Sequence, residues 1–213
     1  MTQKPMRNIS ERRKKRSGHS ILEFGIVVIP TVYLLLGTVV IGINLGRAVQ
    51  VAQICRDADS LFVRGVALYN SSAQSFVAQL GASMNLQTSG GDGLITLSKV
   101  QFIPDPSCGT PSTPGYNNCT TGVTRLVQRI TFGNTSLQST KYPTHGTVTY
   151  DSLDQVNNYL TDANAVIDNF ATLAFQLKPN EISYIAEAYF QNSFSNLNVW
   201  TGTSPGIYSQ AFF

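Results

Sequence analysis

The chain is poor in charge, and poorer still in the residues that carry out chemistry. Of its 213 residues only 13% are Asp, Glu, Lys or Arg while 42% are hydrophobic, a balance that excludes a disordered solvating chain and a generally basic nucleic-acid binder. Histidine occurs twice, at His19 and His145, and cysteine three times, at Cys55, Cys108 and Cys119, with no pair at metal-ligand spacing. The sequence therefore offers no zinc site. Also absent are G-x-S-x-G, G-x4-G-K-[ST], H-E-x-x-H and a G-x-G-x-x-G after a strand, the patterns of hydrolase nucleophiles, phosphate cradles, zinc peptidases and dinucleotide folds. His145 then reads as a loop residue, and the carboxylate pairs Asp151/Asp154 and Glu181/Glu187 read as solvated surface. The expectation is a protein that is not an enzyme, with no catalytic residues, cofactor or metal.

What charge there is lies unevenly. Seven of the 15 Lys and Arg residues (Lys4, Arg7, Arg12, Arg13, Lys14, Lys15 and Arg16) fall in the first 18 positions beside one acid, Glu11, so the total of +3 divides into +6 there and −3 elsewhere. Beyond Gly46 the basic residues are scattered, without the stripe that nucleic-acid binding requires. The basic run gives way to 23 residues without a formal charge, Phe24 to Gly46, FGIVVIPTVYLLLGTVVIGINLG. As a helix these reach about 34 Å, enough to cross a hydrocarbon core of roughly 30 Å. A buried core helix would show an amphipathic period, and a secretory h-region would run only about 7 to 15 residues before a small-residue cleavage site. The run reads as a membrane span. Pro30 is tolerated inside it where a bend or a neighbouring helix satisfies the backbone group it frees. Seven cations precede the span and only Arg47, Arg56 and Arg64 follow closely, so the positive-inside rule keeps the N-terminus cytoplasmic and exports the rest.

Glu23 stands at the head of this apolar run. It has two readings: a carboxylate at headgroup depth that gains from the positive end of the helix dipole, or one that pairs with a positive group on another subunit. The stretch RRKKRSGHSILEFGIVVIPTVYLLLG, followed by INLGRAVQVAQICRDAD, resembles the TadE-like family of pseudopilins, minor components of the tight-adherence (Flp, type IVb) pilus and secretion machinery. A basic leader, Gly18, four residues, Glu23-Phe24, Pro30, a Leu-rich run and Gly46-Arg47-Ala48 carry the likeness, over about residues 12 to 65. The resemblance implies cleavage by a prepilin peptidase after Gly18, leaving His19 as the new N-terminus and Glu23 as the fifth mature residue. It implies that the Glu23 carboxylate, with Phe24 beside it, meets the α-amine of a neighbouring subunit and sets register. The implied partners are other pilin and pseudopilin subunits, the peptidase, the inner-membrane assembly machinery and the lipid bilayer, with no nucleic acid. The implied location is the bacterial inner membrane, single-pass, with a place in a surface fibre.

After the span, Val49, Ile54, Ala58, Leu61, Phe62 and Val66 recur at three- and four-residue steps between Gln50, Gln53, Arg56, Asp57, Asp59 and Arg64, an amphipathic continuation of the membrane helix. Its apolar stripe calls for a sheet or a neighbouring subunit to cover it. Asn70-Ser71-Ser72 reads as a helix end and 88–93 as a flexible turn. Leu94 to Ile103, Val123 to Phe132, a short Gly146 to Tyr150 and Ile182 to Phe190 read as strands of an antiparallel sheet. Leu153 to Leu177 reads as one or two helices, and the aromatic tail with Trp200, Tyr208, Phe212 and Phe213 as a strand packed on the sheet. Cys108 and Cys119 lie 11 positions apart in a loop rich in Pro, Gly, Asn and Thr, where a disulfide would contribute about 3 kcal/mol. Cys55 is left over, either as a small buried residue or for an intermolecular bridge. The Asn-x-Ser/Thr matches at Asn70, Asn118 and Asn134 matter only if the cell glycosylates them.

The fold class expected is α+β and pilin-like. A basic leader (1–18), a transmembrane helix (19–46) and an amphipathic extension (47–80) precede an exported head (81–213). The function expected is that of a minor pilin, working by assembly. The alternative is a permanently membrane-anchored binding module for a cell-wall or surface ligand, and an anchored enzyme ranks third.

Overall fold

The computed structural model describes residues 11–137, 145–167, 170, 175–191 and 206–213, with the side chains of 11–19 outside the description. It is α+β: a long apolar N-terminal helix and a four-stranded antiparallel sheet. The chain divides into two units, Met1–Gly46 and Arg47–Phe213.

In the first unit residues 11–46 belong to helix α1 (Glu11–Val63), with Pro30 inside it. From Ser20 onward it contains a stretch long and apolar enough to cross a membrane, and that stretch is unburied. Ile21, Phe24, Tyr33 and Leu34 are each at least 70% exposed. The hydroxyls of Thr31 and Thr38 donate to the carbonyls of Val27 (2.7 Å) and Leu35 (2.8 Å), so these polar groups are satisfied by the helix that carries them.

In the second unit α1 changes character. Val51, Ile54, Cys55, Ala58 and Phe62 are buried, and their spacing puts them on one stripe. The helix stops where Gly65 takes φ +78°. The amide of Gly65 donates to the Phe62 carbonyl (3.0 Å) and that of Val66 to Leu61 (3.1 Å), the paired bonds of a Schellman stop with glycine in the left-handed position. The amphipathic segment is therefore two helices. Asn70, expected at a helix end, is the N-cap of α2 (Ser71–Leu80), which buries Val77. Val49 and Val66, expected in the buried stripe, are exposed.

Strands β1 (Gly93–Pro104), β2 (Gly122–Gly133), β3 (Ile182–Phe190) and β4 (Ile207–Phe212) pair in the order β2-β1-β3-β4, every pair antiparallel. Period-two alternation gives the sheet two occupied faces. Ile95, Leu97, Ile130, Phe132, Ala186, Ala188 and Ala211 form one core with the buried stripe of α1 and with Leu68, Val77 and Leu86. Val100, Phe102, Leu126 and Ile185 form the other, with Val156, Ala165, Ile167, Phe170 and Leu177.

The cover of that second face differs from expectation. Residues 153–167 make turns and one 3-10 turn, Ala163–Ala165, where helix was expected; 168, 169 and 171–174 lie outside the described residues. The reason is local. Asp154 and Asn158 take left-handed φ of 57° and 52°. The Asp151 carboxylate accepts from the amides of Leu153 (2.8 Å) and Gln155 (2.9 Å), and Asp162 accepts from Asn164 (2.9 Å). Such Asx turns compete with helix whatever the apolar spacing. This segment instead runs along the edge of β2, with bridges Arg125↔Val166 and Gln128↔Gln155. Residues 146–150 form no strand beyond a bridge from Tyr150 to Val156. The C-terminal strand is present as β4, whereas Trp200 lies outside the described residues.

Candidate functional site

The N-terminal candidates share one continuous helix. Gly18 and His19 lie within the backbone of α1, with side chains outside the description. Glu23, five residues beyond Gly18 and so about 7.5 Å farther along the axis, is exposed, and Phe24 is 70% exposed. Among the described residues no large hydrophobic side chain from Ile21 to Leu45 is buried. The helix thus presents a carboxylate at the start of an apolar cylinder, a surface suited to lipid or to other helices.

Cys108 and Cys119 are joined in a disulfide, Cα to Cα 5.9 Å, closing the loop between β1 and β2. The third cysteine is buried. Its thiol donates to the carbonyls of Ala186 (3.2 Å) and Ser209 (3.6 Å) at the seam between α1 and the sheet. Burial, with the Asp59 carboxyl next in effect, pushes it up to about 12. A thiol so held is an inert packing group.

Two carboxylates that read as surface are interior. Glu187 is 3% exposed and accepts a hydrogen bond from the Tyr208 hydroxyl. Burial, and then this carboxylate, push the Tyr208 phenol upward. Asp59 is fully buried on the apolar stripe of α1, and neither carboxyl oxygen has a hydrogen-bond partner. Burial raises its carboxyl to about 7 because desolvation disfavours the charged form. The signal that places Asp59 inside is its spacing: it stands four residues after Cys55 and three before Phe62.

On the face of the sheet away from α1, Arg129 donates through Nε to the Ser98 hydroxyl (3.1 Å), and its Nη1 bonds His145 Nε2. His145 is therefore a partner of the sheet. Burial first, and then the adjacent guanidinium, hold its imidazole below the ordinary value. A neutral ring suits this place, accepting from Arg129 through Nε2 while Nδ1 donates to the Gly146 carbonyl. Among the described residues no three His, Cys, Asp or Glu side chains form a metal-ligand group.

The class defined by these features is an α+β head carried on an N-terminal helix long and apolar enough to cross a membrane. No family model, curated protein or solved structure matches the chain.

Proposed function

We propose that this protein is a minor pilin or pseudopilin of TadE-like type, a single-pass subunit of the inner membrane that works by assembly. One observation carries the reading: a +6 basic segment is followed by Gly18, four residues, Glu23-Phe24 and a charge-free helix to Gly46 whose large apolar side chains face outward. In this reading residues 1–18 hold the N-terminus in the cytoplasm and are removed by a prepilin peptidase. The α-amine of His19 in one subunit and the carboxylate of Glu23 in the next neutralise each other, so a charge costly in lipid becomes tolerable when subunits stack in register. The outward apolar side chains pack against neighbouring helices, and the head faces the exterior.

Intact mass of the membrane-extracted protein, from cells with an active prepilin peptidase, tests the processing step. Loss of residues 1–18 is the expected result, and a chain still starting at Met1 overturns it. Glu23→Ala tests assembly: the subunit is made and membrane-bound but missing from sheared surface fibres. Unchanged incorporation would overturn the register role of Glu23, and absence of the unsubstituted subunit from the fibres would instead identify a simple tether for a binding head.

A further inference from the structure

Asp59 is the buried polar group that the assembly reading leaves without a task. It lies at 0% exposure in the seam between α1 and the sheet, with both carboxyl oxygens unsatisfied. Val51, Ile54, Cys55, Ala58 and Phe62 of its own helix form one apolar cluster with Ile95, Leu97, Ile130, Ala186 and Ala211 of the sheet, and Asp59 stands between Cys55 and Phe62 on that stripe and acts on Cys55 electrostatically. The charged and titratable neighbours on that side are few. Cys55 stands one turn earlier, and Arg56, Asp57 and Arg64 point outward. From β1 comes Lys99, whose Nζ lies 5.8 Å from the ring centroid of Tyr184 on β3. From β2 comes Arg125, whose guanidinium is committed to the carbonyls of Tyr159 and Asp162. Glu187 of β3 and Tyr208 of β4, bonded to each other, act on Cys55 electrostatically, and α2 carries no titratable side chain. Among the described residues none gives Asp59 a hydrogen bond, and a buried charge in that position is strongly unfavourable.

We propose that the stretch of α1 from Val51 to Phe62 is latched to the sheet by a proton on Asp59. With the carboxyl neutral the helix stays packed. Ionisation favours a state in which this stretch lifts far enough for water to reach Asp59 and, with it, Cys55. The raised carboxyl, at about 7, places the transition near neutral pH. The head thereby becomes tighter in acid and looser in mild alkali.

Cys55 is a built-in reporter, since Cys108 and Cys119 are oxidised. The full chain in detergent micelles is treated with 4,4′-dithiodipyridine across the pH range, and the rate is normalised to that of a free cysteine peptide at each pH. The normalised rate is expected to climb by up to about tenfold per pH unit below neutrality and to level off above about 7. Asp59→Asn is expected to remove the dependence. A flat profile in the wild type, or an unchanged slope in Asp59→Asn, overturns the latch. Should Asp59→Asn fail to fold, the Asp59 Cγ chemical shift of the wild-type chain is titrated instead. A midpoint at the ordinary aspartate value of about 4 overturns the proposal equally, and a midpoint near neutrality supports it.

Discussion

Two carboxylates in the head make opposite use of burial. Asp59 has no hydrogen-bond partner and keeps its proton up to about 7, whereas an aspartate in the unfolded chain loses it near 4. The folded state therefore binds more protons between those values. The contribution of Asp59 to stability is greatest below about 4, declines as pH rises towards about 7, and is flat above it, with a span on the order of 4 kcal/mol. Asp59→Asn should accordingly raise the denaturation midpoint at pH 8, and bring it level with or below the wild type at pH 4, in chemical denaturation followed by circular dichroism. Glu187 is buried but supported by the Tyr208 hydroxyl. Tyr208→Phe removes that donor while keeping the ring, and leaving a buried acceptor without its partner costs about 1–3 kcal/mol. The variant should lose stability of that order at neutral pH, and a loss below about 0.5 kcal/mol would show that the bond adds little beyond what water supplies.

At the level of elements, what could be read from the sequence follows from how local the determinants are. Leu94 to Ile103, Val123 to Phe132 and Ile182 to Phe190 alternate or concentrate β-formers, and each lies in a strand within a residue of those limits. The apolar run of α1 was equally legible, because length and absence of charge are properties of the chain alone. Leu153 to Leu177 misled because its apolar spacing is helical, while Asp151 and Asp162 hold turns through their own side chains and Asp154 and Asn158 take left-handed φ. Asp59 and Glu187 misled for a different reason: charge implies surface on average, and only the surrounding stripe and strand reveal otherwise. The disulfide loop was legible from spacing and composition, and its contribution follows from loop length. Reducing Cys108–Cys119 should cost about 3 kcal/mol and leave the far-ultraviolet spectrum nearly unchanged, because the paired residues of β1 and β2 lie outside the loop. Denaturant titration with and without reductant measures this, and collapse of the spectrum on reduction would show that the loop organises the hairpin.

The whole molecule joins two units of different surface character. Every large hydrophobic side chain exposed between Ile21 and Leu45 belongs to Met1–Gly46, while the buried core runs from Val51 to Ala211 within Arg47–Phe213. The second unit also has a favourable charge for solubility: eight basic residues against ten acidic ones from Arg47 onward, a net −2. What remains of α1 there is 17 residues, Arg47–Val63, short enough that an isolated helix would be marginal in water. It is held by packing, through Val51, Ile54, Cys55, Ala58 and Phe62 on the sheet. Residues 47–213 exported alone to an oxidising compartment should therefore be soluble without detergent and unfold cooperatively. The spectrum should retain both helix and sheet, and the full chain should need detergent to stay in solution. Substituting Ile54 by Asp in the truncated protein should abolish cooperativity, since it places a second carboxyl group in a seam where Asp59 already lacks a hydrogen-bond partner. If instead the truncated protein aggregates with its disulfide formed, the first 46 residues contribute to the fold of the head.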